Sequence, residues 1–179
     1  MCIRDRPSTV LKVSEKPFKI LRRGRVGVYE IAKISGEEIK FDGKFRILIV
    51  CTANKDRSPI AHYYLKEKYN FLEVDSCGIM PVSKKASESA IKAMKEIGID
   101  ISSHTTKELN LSLIEWADLI ICMENLHKNE ILKLAPDVFR KIEVLNIPEP
   151  RDIKEVREEI IEKIENIMKK LRKLKIWID

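Results

Sequence analysis

The stretch Ile47-Leu48-Ile49-Val50-Cys51-Thr52-Ala53-Asn54-Lys55-Asp56-Arg57-Ser58-Pro59 decides how this chain folds. The apolar, β-branched run Ile47 to Val50 is short and reads as a buried strand. Pro59 suits the opening of a helix, where its missing N–H has no helical partner to lose. An amphipathic segment from Ile60 to Tyr69 continues that helix. Between strand and helix lie a cysteine, five residues, an arginine and a serine. Loop amides converging on a helix N-terminus make an anion site. The same surroundings lower a cysteine pKa, and the thiolate is the nucleophile. An arginine at the end of the loop can grip two phosphate oxygens with its planar fork. The stretch therefore carries the parts needed to attack phosphorus with sulfur.

Outward from this centre, strands and helices alternate. Strands are predicted at 46–50, 72–76, 118–122 and 142–145, and helices near 58–69, 86–97, 108–115, 125–134 and 152–175. Such alternation implies right-handed crossovers and a parallel sheet covered on both faces, a three-layer αβα arrangement with four strands. Ligands of such sheets bind beyond the carboxyl ends of the strands, where Cys51 lies. The last helix carries Val156, Ile160, Ile164, Ile167, Leu171 and Leu174 on one stripe. That stripe could form a short coiled-coil seam, but packing against the sheet accounts for it without a partner.

The 179 residues fit one domain with a sizeable core and a small appendage. No apolar run approaches the ~20 residues needed to span a bilayer. Residues 1–20 lack the apolar region of a signal peptide. The four cysteines, at 2, 51, 77 and 122, show neither metal-ligand spacing nor a disulfide framework, so no metal or other cofactor is implied. A reduced, cytoplasmic setting is the simplest expectation, and an attacking thiolate requires it. Residues 1–46 hold 12 Lys/Arg against 6 Asp/Glu, so the whole net charge of +6 sits there. A basic segment can favour nucleic acid or acidic partners, but without interleaved aromatics a solvated surface is the reading taken.

Met1 to Pro7 resembles sequencing read-through and is set aside as a non-native leader. Ser8 to Lys44 reads as a separate, β-rich extension, a hairpin or three-strand flap. Val26 to Ile34 and Glu38 to Phe41 are its expected strands, with Ser35-Gly36 and Asp42-Gly43 as turns. Residues 45–179 form the main domain.

Cys51-x5-Arg57-Ser58-Pro59 after a strand resembles the phosphate loop of the low-molecular-weight protein tyrosine phosphatases. Further pieces follow in that family's order: Val74-Asp75-Ser76-Cys77-Gly78, Ser103-His104, Ala117-Asp118-Leu119-Ile120-Ile121-Cys122-Met123-Glu124 and Ile147-Pro148-Glu149-Pro150. The resemblance runs from Phe45 to the C-terminus. It implies that Cys51 attacks a phosphomonoester to give a cysteinyl-phosphate, with Arg57 on the equatorial oxygens. Thr52, Ala53, Asn54, Lys55 and Asp56 form the loop, and Ser58 donates to the thiolate while also suiting a helix cap. It further implies that Asn54 holds the loop's shape, which asparagine can do because it tolerates left-handed backbone angles. His104 and Ser76 would orient Asn54. Glu149 stands at the family's Asp-Pro general acid; Asp152 is its rival, although an Asp there also caps a following helix. His62 and His127 match no motif and read as surface residues.

Three departures bear on function. Asp56 occupies the place of a second cysteine, so a protective disulfide is absent, and a carboxylate beside the thiolate opposes its ionisation. Ala53 replaces a loop glycine, which makes close backbone approach harder. Neither Ile79-Met80 nor Arg151 supplies the aromatic ring that stacks on phosphotyrosine. The substrate expected is a phosphorylated protein side chain or small phosphoester, not nucleic acid. A non-catalytic phosphate-binding module is the alternative from another class. An arsenate reductase would need a cysteine relay after the third strand, where Cys122 has only Asn129 seven residues on. Phosphoarginine phosphatases favour a threonine where this chain has Lys55.

Overall fold

The computed structural model describes residues 8–149 and 152–176. Met1 to Pro7, expected to be a non-native leader, lie outside these residues, as do Pro150 and Arg151. Chain order begins with β1 (Val10–Lys12), β2 (Phe18–Arg22), α1 (Val28–Ser35) and β3 (Ile39–Lys40). It continues with β4 (Phe45–Cys51), α2 (Arg57–Lys68), β5 (Leu72–Gly78), α3 (Glu88–Lys95), α4 (Leu111–Trp116) and β6 (Leu119–Cys122). The last elements are α5 (Asn125–Leu134), a 3-10 turn (Pro136–Lys141), β7 (Ile142–Val144) and α6 (Ile153–Lys173).

The main sheet is parallel in the order β5-β4-β6-β7. Its central strand β4 is apolar on both faces because helices cover both, as continuous β-branched runs require. Ile47, Ile49 and Cys51 face one core, with α2, α3 and α6 above them. Leu48 and Val50 face the other, with Cys77, Cys122 and Ile131. Each fully buried Ile or Leu side chain contributes about 1.5–3 kcal/mol. The register sets Cys51 opposite Gly78 and Val50 opposite Cys122, so all strands end at one level. The stripe on α6 (Val156, Ile160, Ile164, Ile167 and Leu171) lies in the first core, as packing against the sheet predicts.

The N-terminal segment differs from expectation in two ways. β1 and β2 form an antiparallel hairpin and β3 joins β2 in parallel, but Val28–Ser35 is a helix, not a strand. Val28, Tyr29 and Ala32 recur at helical spacing and are buried, and that burial outweighs the alternation that suggested a strand. Gly36, at φ +65°, closes the helix with its N–H on the Ala32 carbonyl, so Ser35-Gly36 is a helix end. Nor does the segment stand apart. Ile20, Val28, Tyr29, Ala32 and Ile39 belong to the same core as Ile47 and Leu171, and Ile39 bridges to Ile176 beyond α6. Among the described residues no helix is long and apolar enough to cross a membrane.

Candidate active site

The loop between β4 and α2 wraps around the Cys51 sulfur. Asn54 takes the left-handed conformation, φ +55°, and so turns the chain back on itself. Its backbone N–H donates to Sγ at 3.2 Å. Its side-chain amide gives one hydrogen to Ser58 Oγ (2.9 Å) and the other to Ser76 Oγ (3.0 Å). Ser58 Oγ, which accepts from Asn54, lies 2.8 Å from Sγ, and toward a thiolate it is the donor. His104 Nε2–H donates to the Asn54 carbonyl at 2.9 Å, and the Lys107 N–H donates to the Asn54 side-chain oxygen at 2.9 Å. The asparagine, the two serines and His104 thus meet around the thiol.

Close backbone approach is demanded at Gly78. A Cβ on Gly78 would lie 2.5 Å from the Thr52 carbonyl oxygen and 2.9 Å from atoms of Ala53 and Asn54. Asp56 turns away from the sulfur: its carboxylate accepts from the Ser87 hydroxyl at the start of α3, while the Ser87 N–H donates to the Lys55 carbonyl at 2.9 Å. The residue in the second-cysteine position thus ties the loop to α3.

Arg57 is 2% exposed and fully engaged at its terminal nitrogens. Nη1 donates to Glu124 (2.5 Å) and to the Ile147 carbonyl (2.8 Å). Nη2 donates to Thr52 Oγ1 (3.1 Å) and to Glu149 (2.5 Å). Burial pushes the Cys51 thiol above the ordinary value, while Ser58, the Asn54 N–H and, least of all, Arg57 pull it down. The lowered pKa expected from the loop is opposed here by burial of the thiol, which outweighs these donors and the Arg57 charge.

Asp152 caps α6, accepting from the N–H groups of Lys154 (2.8 Å) and Glu155 (3.2 Å). Its rival Glu149 is the carboxylate that meets Arg57. The sequence did not reveal Glu124, His62 or His127. Both histidines are drawn inside, contrary to the surface reading, and burial lowers each to about pKa 4. His62 Nδ1 lies 3.1 Å from Ser76 Oγ, and His127 Nε2 lies 3.1 Å from Thr52 Oγ1. Glu124-x-x-His127 spacing at a helix start was the available signal: the Glu124 N–H donates to His127 Nδ1 at 3.0 Å. Cys77 and Cys122 face the opposite side of the sheet from Cys51.

The model of the low molecular weight phosphotyrosine protein phosphatase family matches residues 46–175. The chain belongs to that family. A low-molecular-weight protein-tyrosine-phosphatase, Ptp of Acinetobacter johnsonii, is 40% identical over 111 residues, which cover 58% of this chain and 78% of that protein. Among solved structures, Vibrio vulnificus Wzb with benzylphosphonate superposes with a TM-score of 0.66 and 30% identity, covering 72% of this chain and all of that one. The YwlE arginine phosphatase of Geobacillus stearothermophilus gives 0.64 and 29%, covering 72% and 93%. With the loop around Cys51, these relationships make the chain a cysteine-dependent phosphatase, a hydrolase of phosphorylated protein.

Proposed function

We propose that this phosphatase hydrolyses phosphomonoesters on protein side chains, phosphotyrosine-like in class, with Cys51 as nucleophile, Arg57 as phosphate clamp and Glu149 as general acid. The observation that carries the reading is the pair of donors, Ser58 O–H and Asn54 N–H, aimed at one buried sulfur. Such donors stabilise a thiolate, and a structural cysteine needs neither. When a phosphate dianion enters, its oxygens replace the Glu149 carboxylate on Nη2 of Arg57. The clamp then neutralises the phosphoryl group while the thiolate attacks phosphorus. The P–O bond to the leaving group breaks as the P–S bond forms, and Glu149, which takes up a proton from solvent once released from Arg57, gives that proton to the departing oxygen. Water then attacks the cysteinyl-phosphate, losing its proton to the same carboxylate and freeing phosphate and the thiolate.

The test is hydrolysis of p-nitrophenyl phosphate between pH 5 and 8, wild type beside Cys51→Ser. Turnover in the wild type alone supports the reading; phosphate binding with no turnover in either makes this a binding loop. Phosphotyrosine and phosphoarginine peptides compared in the same assay then set the substrate class.

A further inference from the structure

His127 sits on α5, outside the phosphate loop, yet its ring is fully buried and bonded at both nitrogens. The Glu124 backbone N–H can only donate, so Nδ1 accepts. The ring is therefore neutral and its hydrogen is on Nε2, from which it donates to Thr52 Oγ1 at 3.1 Å. Arg57 Nη2–H donates to the same oxygen, also at 3.1 Å. A hydroxyl has two acceptor positions and one hydrogen. Both acceptor positions of Thr52 are thus filled, and no acceptor among the described residues takes its hydrogen. That hydrogen lies beside the Arg57 nitrogen that already holds an anionic oxygen, the carboxylate of Glu149.

We propose that His127 is a positioning residue of the phosphate site: through Thr52 it aims a hydroxyl that donates to the bound phosphoryl oxygen. Thr52 touches the substrate, and His127 acts only through it. A second acceptor at the ring position, or no donor there, would let the hydroxyl turn back toward α5 and away from phosphate. The assignment rests on reading Cys51 to Ser58 as the phosphate site.

The two ring nitrogens can be imitated one at a time. Asparagine reaches about as far as Nδ1 and can keep the bond from the Glu124 N–H while losing the donor to Thr52. Glutamine reaches about as far as Nε2 and can keep that donor while losing the Glu124 bond. Inorganic phosphate is the probe, its affinity read from protection of Cys51 against iodoacetamide, beside kcat/KM for p-nitrophenyl phosphate and the melting temperature. His127→Asn is expected to weaken phosphate binding about tenfold, the scale of one lost hydrogen bond, and His127→Gln to restore most of that loss. Melting temperatures are expected in the opposite order, since glutamine gives up the bond to the helix start. Thr52→Val is expected to match His127→Asn, and Thr52→Val with His127→Asn to be no worse than the worse single variant. Equal phosphate affinity in the Asn and Gln variants, weaker binding in Gln than in Asn, or additive losses in the double variant would overturn the proposal. Protection in the wild type with such results overturns this inference alone. Absence of protection in the wild type would overturn the phosphate-site reading and this inference with it.

Discussion

The Glu149 carboxylate lies 2.5 Å from Nη2 of Arg57 although its side chain is 68% exposed. Glu124, on the other arm of the same guanidinium, is more enclosed at 25%. An exposed ion pair contributes about 0–1 kcal/mol, so Glu149 is the partner that gives way to a phosphate dianion. By occupying Arg57, its charge also draws on the guanidinium that favours the Cys51 thiolate. Glu149→Gln is therefore expected to lower the Cys51 pKa. The thiolate fraction at pH 7 then rises, and iodoacetamide alkylation accelerates several-fold, about tenfold if the pKa falls by a full pH unit. Slower alkylation would mean that Glu149 holds Arg57 in place for the thiolate instead.

Glu149 and Asp152 separate by the same logic. Asp152 accepts two N–H groups at the start of α6, and asparagine caps nearly as well as aspartate. Asp152→Asn should keep both stability and turnover, whereas Asp152→Ala should cost about 1 kcal/mol of stability. Glu149→Gln should slow aryl phosphates with poor leaving groups far more than those with good ones, because only the former need the proton. A Brønsted series on the three variants decides it. If Asp152→Asn instead steepens the leaving-group dependence, Asp152 is the acid.

Gly78→Ala tests the loop's shape from outside the loop. The added methyl meets backbone of Thr52, Ala53 and Asn54 at 2.5–2.9 Å, and backbone has no rotamer with which to give way. Overpacking of this kind costs about 1–3 kcal/mol. Phosphate protection of Cys51 should be lost while circular dichroism stays native-like. Unchanged protection would show that the loop has slack at its base.

Neutral His62 and His127 make stability depend on pH. Both sit at about pKa 4 in the folded chain, against about 6.5 when unfolded, because burial disfavours the charged ring. Between those values the unfolded chain binds more protons, so stability is fully present above about pH 6.5 and is lost as the pH falls toward 4. Across that window each histidine removes about 1.4 kcal/mol of stability for every pH unit of acidification. Urea melts at pH 5 should give a lower unfolding free energy than at pH 7, and His62→Gln should flatten part of that slope. An unchanged slope would place the titration elsewhere.

What the sequence revealed follows from how local each signal is. Val50-Cys51 through Pro59 carries strand, loop and helix start within one contiguous run, and α5 at Asn125–Leu134 matches its predicted span. Asn54, Ser58, Ser76 and His104 all lie in motifs legible in the sequence, and they meet around one sulfur. Val26 to Ile34 failed because Val26, Val28, Ala32 and Ile34 fit a period of two as readily as Val28 and Ala32 fit a helical turn. Only packing against the core chooses between them. Glu124, His62 and His127 were invisible for another reason: each acquires its role through a contact across the fold, from α5 or α2 to a residue on another element. Nor does composition disclose that Glu149 reaches Arg57, since that depends on one added methylene and the path of the chain after Ile147.

The basic N-terminal segment is fastened to the catalytic body by Arg23 and Asp118. Arg23 Nη1 donates to the Asp118 carboxylate at 2.9 Å, Nη2 donates to the carbonyls of Asp42 and Lys44, and the guanidinium lies 4.8 Å from the Phe41 ring centre. Asp118 is buried and also accepts from the Arg46 N–H at 3.0 Å. Burial pushes its carboxyl upward, and Arg23 is the first group pulling it back. Removing Arg23 thus leaves a buried carboxylate without its cation, a loss of about 3–5 kcal/mol, which exceeds that of removing both charges. Arg23→Met is expected to be strongly destabilising at pH 7, and Arg23→Met with Asp118→Asn less so. The penalty should shrink at pH 5: without Arg23 the Asp118 pKa rises further, and protonation removes the uncompensated charge as the pH drops through it. Urea denaturation of the single and double variants at both pH values measures this directly. A loss below about 0.5 kcal/mol, or one equal at both pH values, would mean that the segment is held by its apolar contacts through Val28, Tyr29 and Ile39 and not by this pair.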